Sequence, residues 1–231
     1  MKIAVLLGTM KGENSYEYQV IERFLKLPFW KGTKIQVLSA EEMEAGHCHE
    51  CNLCLENETC PFDDVDEMDN IKKQLMEADI IIAASPAKQH SVTGVMKDWI
   101  DRMWYWNKVL KLAGRGFIAV SQDEYVMNYL RDVFMEYGCY YIGGLLIDTG
   151  FRDYAKEYSE LIQSFIQIYN KPQSVEATAY QEEVFLNMKR LYEEESMELE
   201  AQAYAERELF AYADVNAYIL DTMKKHLLLA L

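Results

Sequence analysis

The sequence predicts an α/β fold: a doubly wound, five-stranded parallel sheet followed by a C-terminal helical extension. Three observations carry this expectation. Short, β-branched apolar runs alternate with longer amphipathic segments through the first 170 residues, the pattern of repeated strand–helix–strand units. The runs are apolar at consecutive positions, as strands covered by helices on both faces must be. Finally, the breaker cluster Asn170-Lys171-Pro172-Gln173-Ser174 separates this part from a stretch that contains neither Gly nor Pro.

Taken in order, the strands are expected over 3–7, 35–38, 80–84, 117–120 and 140–147. Amphipathic segments over 15–27, 65–77, 92–106, 125–137 and 154–169 supply the helices between and after them. In the third of these, Val95, Trp99, Arg102, Met103 and Trp106 recur at helical spacing. Together they make a domain over 1–170 that carries a Cys-rich loop at 47–62. Residues 171–231 form an acidic extension, and 175–231 read as helix almost throughout, with twelve acidic against five basic side chains. Its apolar stripes, Phe185, Met188, Leu191, Tyr192 and Leu209, Tyr212, Val215, Ile219, read as core or oligomer contacts.

At 231 residues and 50% apolar composition the chain can bury a sizeable core. Its formal charge of −15 repels phosphate backbones and anionic lipid, which argues against nucleic-acid and membrane partners. The apolar N-terminal run is too short for a signal peptide, and no run reaches membrane-spanning length. A cytoplasmic location follows as an expectation, and in a reducing compartment clustered cysteines point to metal or redox chemistry rather than disulfides.

Four cysteines lie within thirteen residues: Cys48, Cys51, Cys54 and Cys60, spaced C-x2-C-x2-C-x5-C and followed by Pro61. Each x2 gap lets neighbouring thiolates converge on one centre, and the longer gap lets the chain fold back to close it. Three close cysteines, a more distant fourth and an adjacent proline resemble ferredoxin-type ligation of a [4Fe–4S] cluster. Tetrahedral zinc also takes four thiolates, but its ribbons and knuckles pair two C-x2-C units across a long gap. A cluster is the favoured reading; zinc, and a Cys-rich loop holding no metal, are the alternatives. His47 and His49 flank the run and are read as solvent-facing or supporting groups. Asp63 and Asp64 are read as caps of the following helix. Cys139 stands alone on a strand as a core thiol.

After the first strand, Gly8-Thr9-Met10-Lys11-Gly12-Glu13-Asn14-Ser15 runs into a helix. Such a turn offers backbone N–H groups and a helix N-terminus to an anion, with hydroxyl and amide groups from Thr9, Asn14 and Ser15 and charge from Lys11. The alternative is an ordinary helix start capped by Asn14 or Ser15. The loop is neither a Walker A sequence nor a G-x-G-x-x-G fingerprint.

The third strand ends in Ser85-Pro86-Ala87-Lys88-Gln89-His90, with Lys97 and Asp101-Arg102 beyond it. With the Gly8, Thr9, Lys11, Asn14, Ser15 loop and the Cys run leading into Asp63-Asp64 and Met68, the chain resembles the flavodoxin-like NADPH-dependent FMN reductase family. Within it, the chain is most similar to the iron–sulfur flavoproteins. The resemblance covers about residues 1–150 and implies FMN at the carboxyl ends of the strands. It places the phosphate on Thr9, Lys11, Asn14 and Ser15. It places the isoalloxazine against Pro86, Ala87, Lys88, Gln89, His90 and the loop after strand four, with Ser121 and Gln122. It further implies an FMN-dependent oxidoreductase in which no side chain acts as nucleophile, served by NAD(P)H or a redox partner protein and assembled as a homodimer or homotetramer. Two positions depart from the family: Lys88 stands where it has Tyr, and 121–125 carry two carboxylates where it has Gly. Two other functions therefore stand beside the iron–sulfur flavoprotein. One is an NAD(P)H-dependent FMN or quinone reductase without a cluster. The other is a flavodoxin-like interaction module that has lost FMN.

Overall fold

Five parallel strands run side by side through the computed structural model, which describes residues 1–57, 59–148, 150, 152–194 and 198–229. They are β1 (Lys2–Leu7), β2 (Lys34–Ser39), β3 (Ile80–Ala84), β4 (Gly116–Ser121) and β5 (Tyr140–Leu146), in the order β2-β1-β3-β4-β5. In register, Ile3 pairs with Ile35 on one side and Ile80 on the other, and Ile82 pairs with Ile118. The chain steps from β1 outward to β2, then back across to β3. The order thus reverses between β1 and β3, and a crevice opens at their carboxyl ends.

Alternation along β1 divides the core. Ile3, Val5 and Leu7 face one apolar layer with α1 (Tyr16–Leu25) and α6 (Ala155–Asn170). Ala4 and Leu6 face the other, with α3 (Met68–Glu77), α4 (Gly94–Arg102) and α5 (Glu124–Glu136). The sheet and its two helical layers are the doubly wound architecture expected. A short helix, α2 (Leu53–Asn57), interrupts the Cys-rich loop.

Two expected helices depart most from their predicted bounds. The helix expected over 92–106 begins at Gly94, because Thr93 caps it by accepting from Met96 N at 3.3 Å. It ends at Arg102 and continues only as a 3₁₀ turn, Trp104–Lys108. The helix expected over 65–77 begins at Met68, whose N–H is taken by Asp66 Oδ1 at 3.0 Å, while Val65 lies in a 3₁₀ turn with Asp63. The reading of Asp63 as a helix cap is overturned: its carboxylate is buried and paired with Lys72 and Arg102.

Beyond the break, the chain forms the expected helical extension as α7 (Ala179–Glu194), α8 (Glu198–Glu206) and α9 (Val215–Leu229). Glu208 adopts a left-handed φ of 56° before a 3₁₀ turn, Leu209–Ala211, which turns the backbone between α8 and α9. Phe185, Tyr204, Leu209, Val215, Ile219 and Met223 join the apolar layer of α1 and α6. Helix α9 lies so close to Gly114 (φ +81°) that a Cβ there would come within 2.8 Å of the Thr222 carbonyl carbon. Gln181 Nε2 also donates to Met135 O at 2.5 Å. No helix among the described residues is long and apolar enough to cross a membrane.

Candidate functional site

The crevice at the β1/β3 reversal holds a cavity of about 660 Å³, within the range of small-molecule and cofactor sites. Its walls are fixed by hydrogen bonds between strand ends. Gly8 N donates to Ala84 O at 2.9 Å, Ser121 Oγ to Ser85 O at 2.9 Å, and Thr93 Oγ1 to Gly8 O at 2.6 Å. A side chain at Gly8 has no room, since its Cβ would lie 2.6 Å from that of Met96.

Of the residues expected to hold a flavin, Thr9, Lys11, Pro86, Ala87, Lys88 and Gln122 line this cavity. Thr9 Oγ1 accepts from Lys11 N at 3.3 Å, which leaves its O–H free to donate. Ser15 is buried and caps α1, accepting from Tyr18 N at 3.2 Å; Asn14 is exposed in the 3₁₀ turn Gly12–Asn14. Neither lines the cavity. Ser121 is buried in the inter-strand tie. Gln89 and His90 have left-handed φ values of 52° and 61°, in a tight reversal where Lys88 and Ser91 exchange backbone hydrogen bonds of 2.8 and 3.0 Å. His90 therefore turns outward, with Nδ1 2.7 Å from Asp123 Oδ2 and its ring edge-on to Tyr125.

Six lining residues were not among those expected: Met10, Gly94 and Val95, and three with polar side chains, Tyr16, Glu17 and Thr93. Glu17 is buried, and Gln122 Nε2 donates to its Oε1 at 2.6 Å. Tyr16 donates to Gly150 O at 2.6 Å, and burial first of all pushes its hydroxyl up to about 12, so it stays protonated. Thr93 carried a readable signal, a hydroxyl residue directly before a helix; Glu17 resembled any acidic residue in a first helical turn. FMN fits this cavity in position and size. The donors also fit: a free hydroxyl on Thr9 with the ammonium of Lys11 at one end, and Lys88 beside Pro86 and Ala87 at the other.

A second, smaller cavity is lined by Cys48, Cys51, Cys54 and Cys60 together with Phe62, Arg102 and Trp104. Glu50 and Asn52 take left-handed φ values of 53° and 59°, so the loop reverses on either side of exposed Cys51. Cys54 is buried; burial and the neighbouring Cys60, Cys48 and Cys51 push its thiol up, outweighing its own backbone hydrogen bond. The thiols share one cavity, but among the described residues no three Cys, His, Asp or Glu side chains are gathered as a metal cage. His47 is held by Asp98 (Nδ1 to Oδ1 2.6 Å), which raises its pKa, and His49 stacks on Phe62 at 4.8 Å. Cys139 is fully buried, which pushes its thiol up to about 12.

Behind the cysteines lies a buried charge network that sequence reading did not assemble. Arg102 donates through Nη1 to Asp66 Oδ2 at 2.8 Å and Gly46 O at 3.2 Å, and through Nη2 to Asp63 Oδ1 at 3.0 Å. Lys72 Nζ donates to Asp63 Oδ2 at 2.6 Å, an oxygen that also accepts from Cys60 N at 3.2 Å. Burial lowers the Lys72 pKa despite Asp63. Burial would likewise lower that of Arg102, but Asp66, Asp63 and Cys60 hold it above its ordinary value. Arg102 Nε has no partner among the described residues. The four charges cancel, and Arg102, whose Nε–H is unmatched, lines the same cavity as the four cysteines. That chemistry fits a thiolate-ligated, anionic centre.

The chain is similar to several known proteins. An iron-sulfur flavoprotein of Archaeoglobus fulgidus is 26% identical over 62% of this chain and 66% of its own length. One of Methanocaldococcus jannaschii is 31% identical over 44% of this chain and 51% of its own. The chain thus spans about half to two thirds of the curated relatives it matches. The apo form of an NADH:FMN oxidoreductase superposes with a TM-score of 0.49 at 15% identity, over 78% of this chain and 92% of that one. Residues 1–151, well over half of the chain, match the NADPH-dependent FMN reductase family, and the chain belongs to it.

Proposed function

We propose that this protein is an FMN-dependent oxidoreductase of the iron–sulfur flavoprotein type, with a [4Fe–4S] cluster on Cys48, Cys51, Cys54 and Cys60. The observation that carries it is the meeting of all four cysteines in one cavity backed by buried Arg102 and Lys72, in a chain that also bears a flavin-sized crevice. FMN supplies one- and two-electron chemistry and the cluster single electrons, so together they connect donors and acceptors of different electron number. Thr9 and Lys11 bind the phosphate. Pro86 and Ala87 press on the ring, while Lys88 offsets negative charge at its edge. Ser121 and Thr93 keep the strand ends from spreading, and Ser15 fixes the start of α1. Gln89 and His90 shape the reversal that presents Lys88.

The donor is NAD(P)H or a redox partner protein, and a surface of charge −15 favours a basic one. We further propose a cytoplasmic homodimer or homotetramer, with residues 171–231 as a helical extension of the 1–170 domain. The looser gathering of the thiols favours one second reading, an NAD(P)H-dependent reductase whose Cys loop is structural. Anaerobic purification with iron, sulfide, zinc and flavin assays on one sample separates the two. Iron and sulfide near four per chain with bound FMN, about the content of one cubane, supports the first. FMN without metal supports the second, and neither cofactor leaves only an interaction module.

A further inference from the structure

Arg102 is the most completely buried charged side chain behind the cysteine cavity, with 1% of it exposed. Its guanidinium is planar and both terminal nitrogens are held, Nη1 by Asp66 and Nη2 by Asp63 and Asp66, so the direction of Nε–H is fixed as well. A buried donor left unmatched is costly, so an acceptor is expected wherever one is within reach. The cavity that Arg102 lines offers the sulfurs of Cys48, Cys51, Cys54 and Cys60. Cys60 is tied in most directly, since Asp63 accepts from both its backbone N–H and Arg102 Nη2.

We propose that Arg102 is a positioning residue of the cysteine centre, whose Nε–H donates to a sulfur there, with Cys60 Sγ the first candidate. This rests on the iron–sulfur reading above. Asp63 and Asp66 neutralise Arg102 and Lys72, so the distinctive contribution of Arg102 is this hydrogen bond rather than added positive charge. Reduction places more charge on the sulfurs. A donor aimed at them therefore strengthens in the reduced state and raises the potential of the centre.

The test uses the full chain, purified anaerobically, with iron and sulfide quantified and arginine labelled with ¹⁵N at Nε. Pulsed EPR of the reduced, loaded wild-type protein should show a ¹⁵N coupling. Arg102→Lys keeps the charge but lacks this donor. It should lose the coupling and lower the cluster midpoint potential, while FMN content and far-UV circular dichroism stay at wild-type level. A fully loaded wild-type protein without the coupling overturns the proposal alone, and so does an Arg102→Lys variant with an unchanged potential. A wild-type protein without iron or sulfide overturns the iron–sulfur reading, and this proposal with it. Should Arg102→Lys fail to fold, the wild-type coupling decides.

Discussion

The two cavities are built by opposite means. The flavin crevice is walled by strand ends already locked to one another by backbone and hydroxyl hydrogen bonds, so its shape comes with the sheet. The cysteine cavity is walled by a loop with left-handed kinks at Glu50 and Asn52, and its order comes from the charge network behind it. The first is a receptacle the fold makes in any case. The second has its donors in place on one side and its thiols only loosely gathered on the other. This difference predicts that occupants will matter unequally: FMN should enter a preformed site, whereas a metal centre should finish building its own.

The sharpest way to break that comparison is to remove one ligand. If the proposed [4Fe–4S] cluster is the occupant, Cys54→Ser should take iron from about four per chain to near none, because a cubane held by three thiolates in an open loop is readily lost. Bound FMN should stay unchanged, since none of the crevice walls belongs to the Cys loop. Paired metal and flavin analysis on the same preparation checks both halves. Joint loss of iron and FMN would show that the crevice depends on the loop after all.

Next in size is the network itself. Arg102→Met leaves half-buried Asp66 without a cation and buried Asp63 with Lys72 alone, and breaking a buried pair costs up to about 3–5 kcal/mol. Urea unfolding of the metal-free protein should register this loss, and Arg102→Lys should lose clearly less. An Arg102→Met variant as stable as wild type would mean that the carboxylates reach water and the network is not what orders the loop.

Much of this was legible in the sequence, and the omissions have physical reasons. Strand β3 lies where its apolar run predicts, because a strand buried on both faces leaves an unambiguous signal. The cysteine spacing announced itself. Arg102 was visible too, as the one charge in the stripe Val95, Trp99, Arg102, Met103, Trp106, and a cation on a buried helix face demands a buried partner. What sequence could not give was the partner, since Asp63 lies 39 positions away and looks locally like a helix cap. Glu17 was masked in the same way by its place in a first turn. The extension is helical as its composition predicts, but the turn at Glu208, a left-handed residue with no Gly or Pro to mark it, left no signal in the sequence.

A third effect contrasts the clustered cysteines with the solitary one. Burial raises the Cys139 thiol from its ordinary 9.0 to about 12 in the folded protein. The folded state therefore keeps a proton that the unfolded state releases, and the associated stability is complete below pH 9 and lost as pH rises toward 12. The slope approaches about 1.4 kcal/mol per pH unit. Cys139→Ala should be less stable at pH 7 yet lose stability less steeply between pH 9 and 10. Equal slopes in the two proteins would show that the thiol titrates normally and that the segment leading into β5 opens to solvent.

The smallest effect tests how finished the flavin crevice is. Glu17 places a buried carboxylate among the walls that carry Thr9 and Lys11, held by Gln122 at 2.6 Å. A dianionic phosphate on Thr9 and Lys11 would meet that charge across a partly screened distance. Glu17→Gln removes the charge and keeps the shape, so FMN should bind about fivefold more tightly, or about 1 kcal/mol. Equilibrium titration of FMN fluorescence at low salt measures it, and the gain should shrink as salt screens the repulsion. Weaker binding would reverse the assignment. Glu17 would then be an acceptor for a flavin hydroxyl or ring N–H, and the crevice would be matched to its cofactor on the acidic side as well as the basic one.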